Sequence, residues 1–368
     1  MTITISKTDL FSRLQLLSKI LPSKTATPIL LNFLFEVKGN QLFVTACNEE
    51  GRITSKISCK ADGDIKICLP IYLLDGLKNL PEQPISIQIK DLEVKVVHAG
   101  GSFEMMGFNA GVYPEGRKII QLGVIDLPAK VLFLGISKVI NFASVSDLRP
   151  IISSVNLEAT SGVVNFISTN GHGIGIYTST EVSCTEKISV VISRSISQIL
   201  KSVLPNTEEN VQIQIGSDWS QLHYNDYNIL FRNLEGRYPN WRAVIPTSNE
   251  KEMLVETQQM INAMKRTMVF SNKSSNLLIL QIDSLSLKLS AQDLDYSISA
   301  EESLPCEFNH SNFKIGVNAI MLLDMLSCIN SKHLLISFSS PDKAIAISPK
   351  EQDECKVQKY VLMPMTIQ

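Results

Sequence analysis

Apolar residues recur at helical spacing in six places along the chain, and the same context returns at each. Leu10, Leu14 and Leu17 form one such set, Leu134, Val139 and Ile140 a second, and Met260, Ile261, Met264 and Met268 a third. Spacing of three and four predicts a helix with one apolar face. Three further runs predict helices at Ile71–Leu80, Ile196–Pro205 and Ala319–Leu326. Each follows a strand-like segment, respectively Cys68–Pro70, Ser189–Ile192 and Phe313–Val317. An alternating stretch then succeeds each: Ile85, Ile87, Ile89; Val211, Ile213, Ile215; and Leu335 and Phe338 about Ser337. Alternation with a period of two predicts half-buried strands, most cleanly at Leu285, Leu287 and Leu289.

The repetition extends to the loops. The first helix of each unit leads to an apolar strand, at Pro28–Leu31, Pro150–Ile152 and Asn276–Leu280. A closing turn Gly111-Val112-Tyr113-Pro114 returns as Gly236-Arg237-Tyr238-Pro239, its tyrosines 125 residues apart. The chain therefore reads as three units of helix, strands, helix, strands, each about 120 residues long. Such a unit lays two helices on antiparallel sheets, an α+β arrangement. Three like units in tandem can stand as a row or close into a ring if the rotation between them permits, and the pattern leaves both open.

Composition agrees with a folded globular protein of two or three domains: 368 residues, 44% hydrophobic and 19% charged. The net charge of −2 argues at first against a nucleic-acid partner. Its distribution argues otherwise. The helical spans 7–20, 70–80, 135–146, 192–203, 257–268 and 316–328 hold nine bases against three acids, +6, leaving 25 bases against 33 acids, −8, elsewhere. A cationic helical face without interleaved aromatics suits phosphate contacts rather than base reading; the alternative is a set of ordinary solvated lysines. Met1–Lys7 has no basic start followed by an apolar run, and nowhere do 18 apolar residues run together, so a cytoplasmic protein with no membrane partner is expected. The seven cysteines are odd in number and never spaced C-x-x-C, and the five histidines are dispersed. Reduced cysteines, no metal and no cofactor are the expectation.

Catalytic signatures are sparse. The chain has no phosphate-binding G-x-x-x-x-G-K-[ST] and no G-x-S-x-G elbow. Gly171-His172-Gly173-Ile174-Gly175 reads as a turn entering a strand. Asp293 and Asp295 fall on one face of a strand, where paired carboxylates could act as acid and base, though their equivalents in the other repeats are not acidic pairs and a solvated edge accounts for them better. A monomeric small-molecule enzyme relying on that pair or on His172 is one competing reading, and a passive three-domain scaffold another. The apolar end Tyr360-Val361-Leu362-Met363-Pro364-Met365 is either a last strand or the adaptable wall of a peptide groove.

Thr27-Pro28-Ile29-Leu30, Thr169-Asn170-Gly171-His172-Gly173, Gly236-Arg237-Tyr238-Pro239-Asn240-Trp241 and the terminal Tyr360–Met365 run, set in triplicate units, resemble the beta subunit of bacterial DNA polymerase III over the whole chain. The resemblance implies three clamp domains, at 1–122, 127–246 and 247–368, closing as a head-to-tail homodimer into a six-domain ring with helices inside. It implies a non-catalytic processivity factor that encircles double-stranded DNA regardless of sequence. Its partners would be the polymerase III alpha subunit, an ATP-driven clamp loader and other proteins carrying a clamp-binding motif. Lys24, Arg149 and Arg194 match DNA-contacting positions of the family, and the helix charge count adds Arg13, Lys78 and Lys201; Tyr72 replaces a basic position. The partner-peptide groove would comprise Ile152, Thr169, Gly171, His172, Ile174, Pro239, Val244, Asn318, Val361, Leu362, Met363, Pro364 and Met365. Gly173 and Ala243 stand where familiar members carry arginine, Met321 where they carry tyrosine, and Ser275 where they carry phenylalanine. The groove is expected to persist with altered rim chemistry. Val269 and Phe270 would lie at the dimer seam.

Overall fold

The computed structural model describes residues 1–144, 149–184 and 186–367; Val145 and Ser146, at the end of one expected helix, and the terminal Gln368 lie outside them. Among the described residues there are six α-helices: α1 (Lys7–Leu17), α2 (Tyr72–Lys78), α3 (Ala129–Val139), α4 (Arg194–Val203), α5 (Thr257–Thr267) and α6 (Ala319–Ser327). Five fall within or close to the expected spans. The third begins at Ala129, six residues before the expected 135, because its buried face is Val131, Leu132, Ile136 and Val139 while Leu134 is half-exposed. Its first amides are satisfied by backbone carbonyls of a neighbouring loop, Ala129 N to Glu209 O at 2.7 Å and Lys130 N to Thr207 O at 2.9 Å, so the helix starts directly after Pro128. The alternation at Leu285 also needs correction. Leu287 and Leu289 are fully buried, whereas Leu285 is 76% exposed in the turn before the strand Ser286–Asp293.

The chain forms two compact units. The first comprises Met1–Phe133, Cys184–Glu186 and Ser195–Leu234. Its long antiparallel sheet runs in the order Phe108–Asn109, Ile65–Pro70, Asn32–Lys38, Gln41–Cys47, Gly51–Ser58, Tyr227–Arg232, Trp219–Tyr224, Asn210–Gly216, Gln121–Pro128. The strand Gly51–Ser58 of the first repeat thus pairs with Tyr227–Arg232 of the second, Ile53 opposite Ile229. Helices meet above that pairing. Ile20, just past α1, and Ile196 of α4 close over Gly51, where an added Cβ would lie 2.7 Å from Ile196 Cδ1 and 3.1 Å from Ile20 Cδ1. Lys19 Nζ donates to Ser202 Oγ at 2.8 Å, and Arg13 pairs with Asp226 at 3.1 Å. A second sheet, in the order Lys60–Ala61, Thr2–Ser6, Pro84–Lys90, Glu93–His98, Gly101–Met106, carries α1 and α2 on one face.

The second unit comprises Leu134–Ser183, Lys187–Arg194 and Glu235–Gln368 and repeats the scheme. Its long sheet runs Ile188–Ser193, Ser154–Thr160, Val163–Thr169, Gly173–Ser179, Lys356–Leu362, Ile345–Pro349, His333–Phe338, Lys251–Glu256, Glu307–Phe308. Here Gly173–Ser179 of the second repeat pairs with Lys356–Leu362 of the third, Ile174 opposite Val361. The end of α3 meets the end of α6: Lys138 Nζ donates to Cys328 O, and Tyr360 Oη donates to Lys138 O at 3.3 Å. A four-stranded sheet, Ile298–Pro305, Ser286–Asp293, Leu277–Asp283, Phe313–Asn318, completes the unit with α5 and α6 packed on it. Cys47, Cys59, Cys68, Cys306 and Cys328 are buried, Cys355 is exposed, and all seven thiols are free.

Packing is tightest where a glycine admits a ring. Gly135 of α3 lies against the fully buried Phe166, so a Cβ there would overlap the aromatic carbons. Although alanine favours helix over glycine by about 1 kcal/mol, overpacking costs about 1–3 kcal/mol. We expect Gly135→Ala to lower the urea unfolding midpoint, whereas a surface glycine-to-alanine change in a helix would raise it.

Candidate functional site

The most elaborated surface of the second unit is built on the pairing of Gly173–Ser179 with the last strand. A tight loop, Thr169–Gly173, enters it. Asn170 Oδ1 accepts from His172 N at 3.0 Å and Gly173 N at 2.8 Å, and Thr169 Oγ1 donates to Gly173 O at 2.8 Å. Gly171 sits at φ +90°, in the region that favours glycine. The loop is thus the turn expected of this motif, and it holds His172 exposed at its tip. Met363 N donates to His172 O at 2.9 Å, which ties the departing C-terminal segment to the loop. Further on, Met365 N donates to Gly316 O at 2.8 Å.

Beneath this rim lies a separate apolar cluster of Ile167, Ile174, Ile176, Trp241 and Val361, flanked by Tyr238, Ile245 and Ala344. Trp241 and Tyr238 are the residues that sequence reasoning left out. The signal was present, since both belong to the Gly236–Trp241 motif, but they served there only as a marker of resemblance. Trp241 Nε1 donates to Glu158 Oε1 at 3.0 Å, and Arg242 both pairs with Glu158 at 2.9 Å and stacks 4.0 Å from the Trp241 ring centroid. Burial drives the Tyr238 phenol well above its usual range, so it stays a neutral donor toward Ile167 O.

The expected groove residues divide by exposure. Thr169, Gly171, His172, Pro239, Val244 and Met363 are open or half-open to solvent, Val244 at 52% and Met363 at 49%. Ile174 and Val361 are buried in the cluster with Trp241. Leu362 is fully buried in the large core of the third repeat; alternation along the strand turns it away from Val361's face. Asn318 caps α6, its Oδ1 accepting from Met321 N and its Nδ2 donating to Ser275 O, both at 3.1 Å. That segment connects to the groove through the Gly316–Met365 bridge. Ile152 is half-buried in the turn that begins at Arg149. At Gly173 an added Cβ would lie 2.7 Å from the methyl of Met325, which is fully buried.

The basic residues distribute less simply than a count of charge suggests. Lys138 and Lys7 are 7% and 9% exposed, so neither belongs to a solvated cationic face; burial depresses the Lys138 ammonium below its usual pKa. Arg13 is engaged by Asp226 and lies 4.5 Å from the Tyr227 ring centroid. Lys24, Lys78 and Arg149 are exposed, and Lys201 half-exposed. Arg194 donates to Ala143 O, and its backbone N bonds to Ser153 O at 3.3 Å, which places it beside the Arg149–Ser153 turn. Asp324 nearby has its carboxyl pKa raised by burial, against the pull of Arg194. Lys19, exposed beside α4, joins this set although sequence matching did not select it. Among the described residues no group of three histidine, cysteine, aspartate or glutamate side chains could hold a metal. Asp293 is 3% exposed, and its Oδ1 accepts from Asp295 N at 3.0 Å; the two carboxylates shape a turn rather than share a strand face, which corrects the expected pairing. Among the described residues no helix is long and apolar enough to cross a membrane.

Two sheets continued across repeat boundaries, each with helices on one face, define a DNA-clamp fold. Solved structures share it over their full length and that of this chain: the sliding clamp of Pseudomonas aeruginosa bound to griselimycin (23% identical, TM-score 0.92), the DNA polymerase III beta subunit of Thermotoga maritima (19%, 0.92) and the Bacillus subtilis clamp (20%, 0.91). Among curated proteins, the beta sliding clamps of Pseudomonas aeruginosa and Synechococcus elongatus are each 23% identical over the whole of both chains. The family models for the DNA polymerase III beta subunit match in order: N-terminal domain at 1–117, central domain at 126–240 and C-terminal domain at 242–366. The chain belongs to the DNA polymerase III beta subunit family, the beta sliding clamps.

Because Trp241 is only 7% exposed and belongs to the buried cluster with Ile174 and Val361, Trp241→Ala should lower the unfolding free energy by about 3 kcal/mol or more. Val244→Ala, at an exposed rim position, should change it by less than about 0.5 kcal/mol. Chemical denaturation of both variants checks the division between buried cluster and rim.

Proposed function

We propose that the chain works as a DNA sliding clamp in which two copies close head to tail around duplex DNA and hold a polymerase to its template. The arrangement of junctions carries this reading. Each compact unit contains one boundary between repeats, and each boundary is made the same way: edge strands pair antiparallel and one helix from each repeat meets above them. At the first, Gly51–Ser58 pairs with Tyr227–Arg232 under the α1 and α4 ends; at the second, Gly173–Ser179 pairs with Lys356–Leu362 beside α3 and α6. The counterparts of these boundary strands in the first and third repeats, Gly101–Met106 and Ile298–Pro305, stand at sheet ends. Each has its own helix: Gly76 of α2 rests on Phe103, and Arg266 of α5 pairs with Glu302. A second copy supplies the missing partner for both. An unpaired edge invites such addition, and a head-to-tail contact that closes at two copies yields a ring.

In that ring the domains would run 1–122, 127–246 and 247–368. Lys24, Lys78, Arg149, Arg194 and Lys201, with Arg13 held more closely by Asp226, would meet phosphates through weak, screened contacts, which permit sliding where strong ones would stall it. No chemistry is required of the chain, because topology supplies persistence. Polymerase III alpha subunit, the clamp loader and other motif-bearing proteins would dock a short apolar segment over the Ile174–Trp241–Val361 floor, and the cytoplasm would be the place of action. Val269 and Phe270, 57% and 38% exposed, would lie in the seam.

The test is retention. Loaded onto nicked circular DNA, the dimer should stay bound through high-salt washing and run off once the circle is cut; equal loss from circle and linear DNA refutes encirclement. Deleting Met363–Gln368 should abolish partner-peptide binding in fluorescence polarisation while leaving the dimer intact. Unchanged affinity places the groove elsewhere.

A further inference from the structure

The two boundaries are built on one backbone cradle. In the first unit Asn48 Oδ1 accepts from Glu50 N at 2.8 Å and Gly51 N at 2.9 Å, and Asn48 N donates to Gly51 O at 2.9 Å. Asn170 does the same for His172 and Gly173 in the second unit. The strand added from the next repeat is tied back alike: Arg232 N donates to Glu50 O at 2.8 Å, as Met363 N does to His172 O at 2.9 Å. Tyr113 Oη donates to Thr45 O at 3.5 Å, and Tyr238 Oη to Ile167 O at the same distance. Register then matches the positions one to one. Arg52 stands opposite Leu230 as Ile174 stands opposite Val361, and Thr45 pairs with Thr54 as Ile167 pairs with Ile176. The offset of 125 residues between the tyrosines sets Gly116 in the place of Trp241 and Arg117 in that of Arg242.

The cradle is shared, but the face it frames is not. The second unit packs Ile167, Ile174 and Ile176 with Trp241; the first has Thr45, Arg52 and Thr54 with a glycine. The two threonine hydroxyls bond each other at 2.9 Å. Arg52 is half-buried, and its Nη1 donates to Pro114 O at 2.6 Å. Burial raises the Cys47 thiol pKa, and the Arg52 guanidinium opposes that rise. Gly116 has no side chain to cover this guanidinium; even a Cβ there would reach no nearer than 3.8 Å. Beside it the exposed Arg117 lies 4.7 Å from the Trp219 ring centroid, and Lys118, also exposed, follows. Of the acids in this region, Glu50 accepts from Ser195 Oγ at 2.6 Å, and Glu49 and Glu115 are exposed.

We infer that the first boundary is a second docking groove, shaped for an extended acidic peptide whose carboxylate meets Arg52 on the strand face and Arg117 at its edge. The inference rests on the partner-groove reading above for the cradle, and departs from it in the occupant. A planar guanidinium offers coplanar donors that match a carboxylate. An apolar segment laid over Arg52 takes water from the cation and returns no partner, which is costly. The change of face therefore separates two classes of peptide between two sites of the same backbone form.

Fluorescence polarisation of a labelled peptide alternating glutamate and serine, titrated with the full chain at about 0.05 M NaCl, tests this. Deleting Met363–Gln368 should leave the dissociation constant within about threefold, because that segment belongs to the second unit alone. Arg52→Gln with Arg117→Gln should raise it about tenfold or more. Lys60→Gln with Lys66→Gln, which removes the same charge from exposed positions on other strands, should change it by less than about threefold. Arg117→Gln alone, at an exposed position, should weaken binding in the same direction with circular dichroism unchanged. No binding by the full chain, equal weakening by the arginine and lysine pairs, or loss on deleting Met363–Gln368 each overturns the inference. Retention on circular DNA is scored separately, so the ring reading and this groove fail independently.

Discussion

The constraint on which the rest depends is that a sheet edge presents unpaired backbone groups, and a protein must do something with them. Here strands at repeat boundaries are paired with strands of the next repeat, so that Ile53 faces Ile229 and Ile174 faces Val361. These pairings pull helices into contact, α1 with α4 and α3 with α6, and so decide which side of each sheet is helical. They also bring Ile174 and Val361 into one apolar cluster with Trp241. The C-terminal segment could not reach His172 unless Lys356–Leu362 had first been added to the sheet of the second repeat. The architecture is thus a consequence of one kind of hydrogen-bonded edge.

Electrostatics then works on a surface that pairing has already arranged. The helices keep a formal excess of base, but Lys7 and Lys138 are buried, and Arg13 and Arg266 are matched by Asp226 and Glu302. The Lys138 ammonium, taken from water, is held by the carbonyl end of α6, where the helix dipole favours a cation. Fewer positive groups remain to meet phosphate than the helix count implies. That is compatible with sliding, which requires an attraction weak enough to be exchanged continually.

Much of this was legible in the sequence because repetition multiplies weak signals. One amphipathic run says little, but three in the same order specify a unit, and the Tyr113/Tyr238 turns set its length. The Thr169–Gly173 loop was legible because asparagine and glycine there do what only short side chains and φ > 0 allow. The start of α3 was not, since Leu134 looks like part of the buried face until Val131 and Leu132 are seen against the core. Nor was the placement of Leu362, where a one-residue change of face separates the Val361 cluster from the large core. The Asp293/Asp295 pair misled because spacing of two implies a strand, and the strand ends at Asp293. Gly173 could be seen as a departure from the family, but not that it faces the methyl of Met325, from a helix about 150 residues further along the chain.

The most direct test of edge pairing between copies is a chemical cross-link. With the exposed Cys355 replaced by serine, cysteines introduced at Ser102 and Ser299, one on each unpaired edge, would be bridged by a bifunctional maleimide and the products separated by mass. Closure at two copies predicts a single covalent dimer, doubly linked, with no larger species. A ladder of trimers and higher oligomers, or monomers bearing only hydrolysed reagent, would contradict the account.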